Sequence, residues 1–171
     1  MNNSLLLLIG VCMLLFAIAW QDFKTRTVYV FVFVLFFAAA CTLQYLRCGF
    51  TEETFVHIGL NASVVCTQLL VLYCYLKFVR KINFFDGMGL GDIFFYICII
   101  PMMSLPVFIF FNISSLVLAL LIYVVAGKKI HMKSGAIPLA GIQAFTLLLT
   151  ILVVEVFFST PVLGTCFLLS I

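Results

Sequence analysis

The run IFFYICIIPMMSLPVFIFFNISSLVLALLIYVVA, residues 93–126, decides how many times this chain crosses a membrane. As one helix, its 34 residues would extend about 51 Å, well beyond a hydrocarbon core of about 30 Å. Pro101 and Pro106 bracket Met102-Met103-Ser104-Leu105 near the middle. Proline lacks an amide hydrogen and clashes with the preceding helical turn, so a turn is expected here. The stretch therefore predicts two short crossings rather than one long one.

Outward from this run, four further apolar runs cover roughly residues 4–21, 27–46, 55–76 and 136–158. Basic residues cluster between them: Lys24 with Arg26; Lys77, Arg80 and Lys81; Lys128, Lys129 and Lys133. Arg47 alone stands apart, in a connection shared with Glu52 and Glu53. Cytoplasmic loops collect Lys and Arg. Two crossings in 93–126 put eight of the nine basic residues on the cytoplasmic side; a single crossing would strand the third cluster outside. The expected fold is an all-α integral membrane bundle of about six transmembrane helices, with both termini extracytoplasmic.

Composition agrees. The chain of 171 residues is 66% hydrophobic and 9% charged, against about 25% charged in a soluble domain, and its mean hydropathy is +1.35. One membrane-embedded domain, 1–171, is expected, with the lipid bilayer as solvent. A net charge of +3 gives no basis for nucleic-acid binding. Leu5–Ala19 has the apolarity of a signal peptide, but its first basic residues follow it instead of preceding it, so it reads as a retained first helix. The seven cysteines form no C-x-x-C pair. They are expected to behave as small buried hydrophobes, without a metal or disulfide framework. His57 and His131 fall on opposite sides in this topology and should not share a metal. No cofactor is expected.

Of the six acidic residues, Glu52 and Glu53 fall in an external loop, and Glu155 lies near the outer end of the last helix. Asp86 reads as a solvated loop residue. Asp22, at the inner end of the first helix, and Asp92, at the inner start of the fourth, share one depth on one side. Each alone has an ordinary reading: Asp22 as an interfacial partner of Lys24 or Arg26, Asp92 as a helix N-cap. Together they suggest chemistry, because an ionisable group at the membrane border is costly. Two adjacent carboxylates share a proton. One then activates water while the other, protonated, polarises a scissile carbonyl. Gly87, Gly89 and Gly91 precede Asp92; without Cβ atoms they let the backbone bend and another chain approach.

At these residues the chain resembles the type IV prepilin peptidases, the bacterial branch of the GxGD aspartyl proteases. Asp22-Phe23-Lys24-Thr25-Arg26-Thr27-Val28 is similar to the family's Asp-x-x-x-Arg segment, and Gly87-Met88-Gly89-Leu90-Gly91-Asp92 to its Gly-Met-Gly-x-Gly-Asp. Gly135-Ala136-Ile137-Pro138-Leu139-Ala140 more weakly resembles a segment entering a late helix through Ile-Pro. The resemblance runs from about residue 8 to 150. It implies an aspartic endopeptidase of the bacterial cytoplasmic membrane that removes leader peptides from type IV prepilin or pseudopilin precursors. It implies Asp22 and Asp92 as the catalytic pair and Arg26, Gly87, Gly89 and Gly91 as motif and support residues.

Departures accompany it. The paired C-x-x-C motifs of the bifunctional members' methyltransferase part are missing, so N-methylation of the product is not implied. Phe94 stands where the family often has Lys, and Leu139-Ala140-Gly141 where Phe-Gly-Pro is common. The competing reading is a non-enzymatic membrane protein or small transporter that couples an ion to an intramembrane Asp. In that reading Asn61, Gln68 and Asn112 line a path; otherwise they bond helices together. Transport favours carboxylates near the midplane, whereas both aspartates are expected at an inner border.

Overall fold

The computed structural model describes residues 3–25, 27–126 and 139–153, and every regular element among them is helical. These are α1 (Asn3–Thr25), α2 (Val30–Cys48), α3 (Glu52–Cys74), α4 (Phe84–Gly87), α5 (Leu90–Ile99), α6 (Leu105–Ala126) and α7 (Leu139–Val153). Three stretches are long and apolar enough to cross a membrane: Leu6–Thr25, Glu52–Arg80 and Leu105–Ile122. The chain is accordingly a membrane protein.

The long apolar run breaks between its prolines. After α5, Ile100–Met102 forms one 3-10 turn with Pro101 in its first positions, Met103 is extended, and α6 starts at Leu105. The break frees carbonyls that no helix satisfies, a serious cost away from water. Asn61 of α3, fully buried, answers it: its Nδ2 donates to Ile100 O at 3.0 Å and Met103 O at 2.8 Å. Leu90–Met102 is one of the shorter apolar helical stretches, extending about 20 Å. Asn61→Leu leaves both carbonyls unpartnered and is expected to destabilise the protein by about 1–3 kcal/mol. Thermal unfolding in detergent, compared with wild type, measures it.

The helices pack around a core that includes Leu15, Ile18, Phe36, Phe95, Ile99, Phe108 and Leu147. α7 lies along α1, α1 along α2, α2 against α5, and α6 against α7. Small residues permit the α7 contacts: Ala140, Gly141 and Ala144 are all buried, as is usual where membrane helices approach closely. Exposed Phe31, Phe110, Ile113 and Leu120 suit a lipid-facing surface, where no hydrophobic force drives them inward.

Three local expectations need correction. Glu52 and Glu53 form the first turn of α3 instead of a loop; Thr51 caps that helix by accepting from Thr54 N at 3.3 Å, and the two carboxylates favour its positive end. Of the five cysteines Cys12, Cys41, Cys66, Cys74 and Cys98, only Cys98 is buried, while Cys66 and Cys74 are exposed. An apolar side chain on a membrane helix has no need of the protein interior. Gly89 and Gly91 bend nothing through positive φ: among the described residues that region holds only Gly49 and Lys81.

Candidate active site

Asp22 lies in the last turn of α1, and Asp92 in the first turn of α5. Both are buried, at 8% and 9% exposure, and they are close enough for their charges to interact. The approach to α5 explains the placement of Asp92. Past α3 the helix widens into a π-helical segment, Tyr75–Arg80, ending at Lys81 in left-handed conformation. The chain then forms the single turn α4, and buried Met88 anchors the extended residue before Gly89, the N-cap of α5. Asp92 N donates to Gly89 O at 3.1 Å. On the other side, the turn from α1 to α2 is fixed by Tyr29 N donating to Gln21 Oε1 at 3.3 Å. Thr25 Oγ1 also donates there, to Gln21 O at 2.8 Å.

What joins the two aspartates is the start of α7. Gly141 N donates to Asp22 Oδ2 at 2.6 Å. The amides of the preceding residue, Ala140, and of Gly89 lie near the Asp92 carboxylate. The first amides of a helix have no partner within it and carry its positive end. Two such groups in succession, on Cα atoms about 3.8 Å apart, thus sit beside the two carboxylates, that of Gly141 bonded to Asp22 and that of Ala140 near Asp92. This is why two acidic side chains from distant segments can meet inside an apolar bundle.

The glycines divide by what surrounds them. A Cβ on Gly141 would lie 2.9 Å from Asp22 Oδ2 and 3.1 Å from Asp22 Cβ. Glycine there is a steric requirement of the α1–α7 contact. Among the described residues, a Cβ on Gly89 would make ordinary contact with the Asp92 carboxylate, at 3.4 Å and beyond, and one on Gly91 with Phe33, at 3.9 Å. Phe94 stacks on Phe33 of α2, centroids 6.0 Å apart, which gives this residue a packing role on the flank of the site.

The structure brings Asp22, Asp92, Gly89 and Gly91 together. Arg26 lies outside the described residues, as do His131, Glu155, the third basic cluster and residues 135–138 of the weaker motif; Gly87 is described in backbone only, as the end of α4. Sequence reading missed the role of Gly141, visible there only as a departure from a familiar pattern. It also missed a polar group one turn deeper, around Tyr96. Gln68 Nε2 and Gln143 Nε2 donate to Tyr96 OH at 3.0 and 2.7 Å. Tyr96 OH donates to Asn112 Oδ1 at 3.4 Å, and Asn112 Nδ2 to Gln68 Oε1 at 2.7 Å. Thus Asn61, Gln68 and Asn112 all bond between helices. Among the described residues no cluster of His, Cys, Asp or Glu has the makings of a metal site. Comparison with family models, curated proteins and solved structures yields no match to this chain.

Proposed function

We propose that this chain is a membrane-embedded aspartic endopeptidase that removes leader peptides from type IV prepilin-like precursors at the cytoplasmic face of a bacterial inner membrane. The observation carrying the reading is the burial of Asp22 and Asp92 near each other at the start of α7, where Gly141 N donates to Asp22. The motif resemblance supplies the substrate class. The topology that goes with it has six crossings and both termini extracytoplasmic, with α5 and α6 as the two halves of the broken run.

The pair works as one unit. In a low-dielectric site two neighbouring carboxylates hold one proton between them. The ionised member takes a proton from water as that water's oxygen attacks the scissile carbonyl carbon. The protonated member donates to the carbonyl oxygen, forming a neutral tetrahedral diol. Collapse of the diol breaks the C–N bond, the departing nitrogen takes a proton from the dyad, and the other product is a carboxylic acid. The Gly141 amide keeps Asp22 oriented, and Gly89, without a Cβ beside Asp92, lets an extended substrate strand approach, whose peptide bonds are not enclosed in a helical ladder.

The test is co-expression with a prepilin-type reporter, with the cut located by mass spectrometry of the new N-terminus. Wild type is expected to cut at the leader junction. If no leader of this class is cut, the proposal falls and the transporter reading takes its place. Topology has its own check: a phosphatase that is active only outside the cytoplasm should be active when fused after Ile171 and inactive when inserted beside Lys81.

A further inference from the structure

Asp92 and Tyr96 are four residues apart on α5, and Ala140 and Gln143 three apart on α7, so each pair shares a helix face. The amide of Ala140 lies near the Asp92 carboxylate, and Gln143 Nε2 donates to Tyr96 OH at 2.7 Å. These are two successive contacts between α5 and α7, one at the carboxylates and one, a hydrogen bond, a turn deeper. We propose that Gln143 and Tyr96 are positioning residues: the deeper contact fixes the rotation and axial register at which α7 offers its first amides to the dyad. This role rests on the peptidase reading and extends it to residues that touch no substrate.

Three features support the role. Tyr96 OH accepts from Gln68 and Gln143 and donates to Asn112, which uses the whole capacity of a hydroxyl. Tyr96 is thereby tied to α3 and α6 and cannot turn freely. Gln143 is fully buried and Tyr96 nearly so, out of reach of a substrate arriving beside Gly89. Finally, Gln143 Oε1 has no hydrogen-bond partner among the described residues. Burying an unpartnered amide oxygen is costly, so leucine at 143 gives up the bond to Tyr96 but also removes that cost.

The experiment measures leader cleavage, kcat and KM separately, in full-length Tyr96→Phe, Gln143→Leu and the double variant, with thermal unfolding in detergent alongside. A register error of about 1 Å is enough to cost roughly 10- to 100-fold in kcat. That loss is expected in each single variant, with KM within about twofold, since substrate contacts are untouched. The double variant should fall no further than the worse single one, because both break the same bond. Gln143→Leu should unfold no earlier than wild type. Full kcat in both single variants overturns the positioning role while leaving the peptidase reading intact. Losses that multiply in the double variant, or that only follow reduced thermal stability, overturn it too. A wild type that cuts no leader overturns both proposals together.

Discussion

Asp22→Asn and Asp92→Asn should each lower leader cleavage by about 10³-fold or more, with substrate binding little changed. General acid–base catalysis contributes roughly 10²- to 10⁴-fold per group, and here neither partner works without the other. In Asp22→Asn no carboxylate remains to share the proton with Asp92, and the same holds in reverse. The double variant is therefore expected to be no slower than either single one, the non-additivity of residues that act as a unit. Asparagine keeps an oxygen where Gly141 N donates to Asp22 and where Ala140 and Gly89 meet Asp92. It also removes the repulsion between two buried carboxylates. Both variants should thus accumulate in the membrane and unfold no earlier than wild type. Cleavage rates, with protein levels measured in the same membranes, decide the matter. Processing by both variants at the wild-type rate would sink the dyad mechanism.

The two aspartates are legible in the sequence because their placement follows from simple forces. Basic clusters between the apolar runs predict which helix ends share a side, and on that reading Asp22 and Asp92 fall at one depth. The break in the long run is legible because Pro101 and Pro106 cannot continue a hydrogen-bond ladder. What repairs the break is not. Asn61 lies 39 residues before Ile100 and 42 before Met103, and nothing local links them. The Tyr96 network is hidden for the same reason: Tyr96 sits in an apolar run, and Gln143 follows it by 47 residues. Only packing shows that their polar atoms meet.

The glycines mark the limit most clearly. Those before Asp92 invite a conformational argument, yet Gly89 adopts φ −70° and ψ 144°, a region open to other residues. What distinguishes it is the absence of a Cβ beside the Asp92 carboxylate, not an unusual backbone. The glycine required by contact is Gly141, which belongs to no recognised motif here. Close approach of two helices is a property of the assembled bundle, and a lone glycine at a helix start gives no warning of it.

That contact makes Gly141→Ala the sharper test of the geometry. On an open helix, alanine in place of glycine stabilises by about 1 kcal/mol. Here the new methyl would sit 2.9 Å from Asp22 Oδ2 and 3.1 Å from Asp22 Cβ, closer than carbon and oxygen tolerate. Asp22 is too short to swing clear while keeping its 2.6 Å bond to Gly141 N. Either the carboxylate turns away from that amide or α7 backs off from α1. Overpacking of this kind costs about 1–3 kcal/mol, so the net effect on stability should be a loss, opposite in sign to helix propensity. Both routes of relief displace Asp22 relative to Asp92, and a shift of about 1 Å is enough for a fall of roughly 10²-fold in kcat. Thermal unfolding and cleavage kinetics of the purified variant measure the two consequences separately. An alanine variant that is more stable than wild type and equally fast would mean that α7 does not hold Asp22 at all.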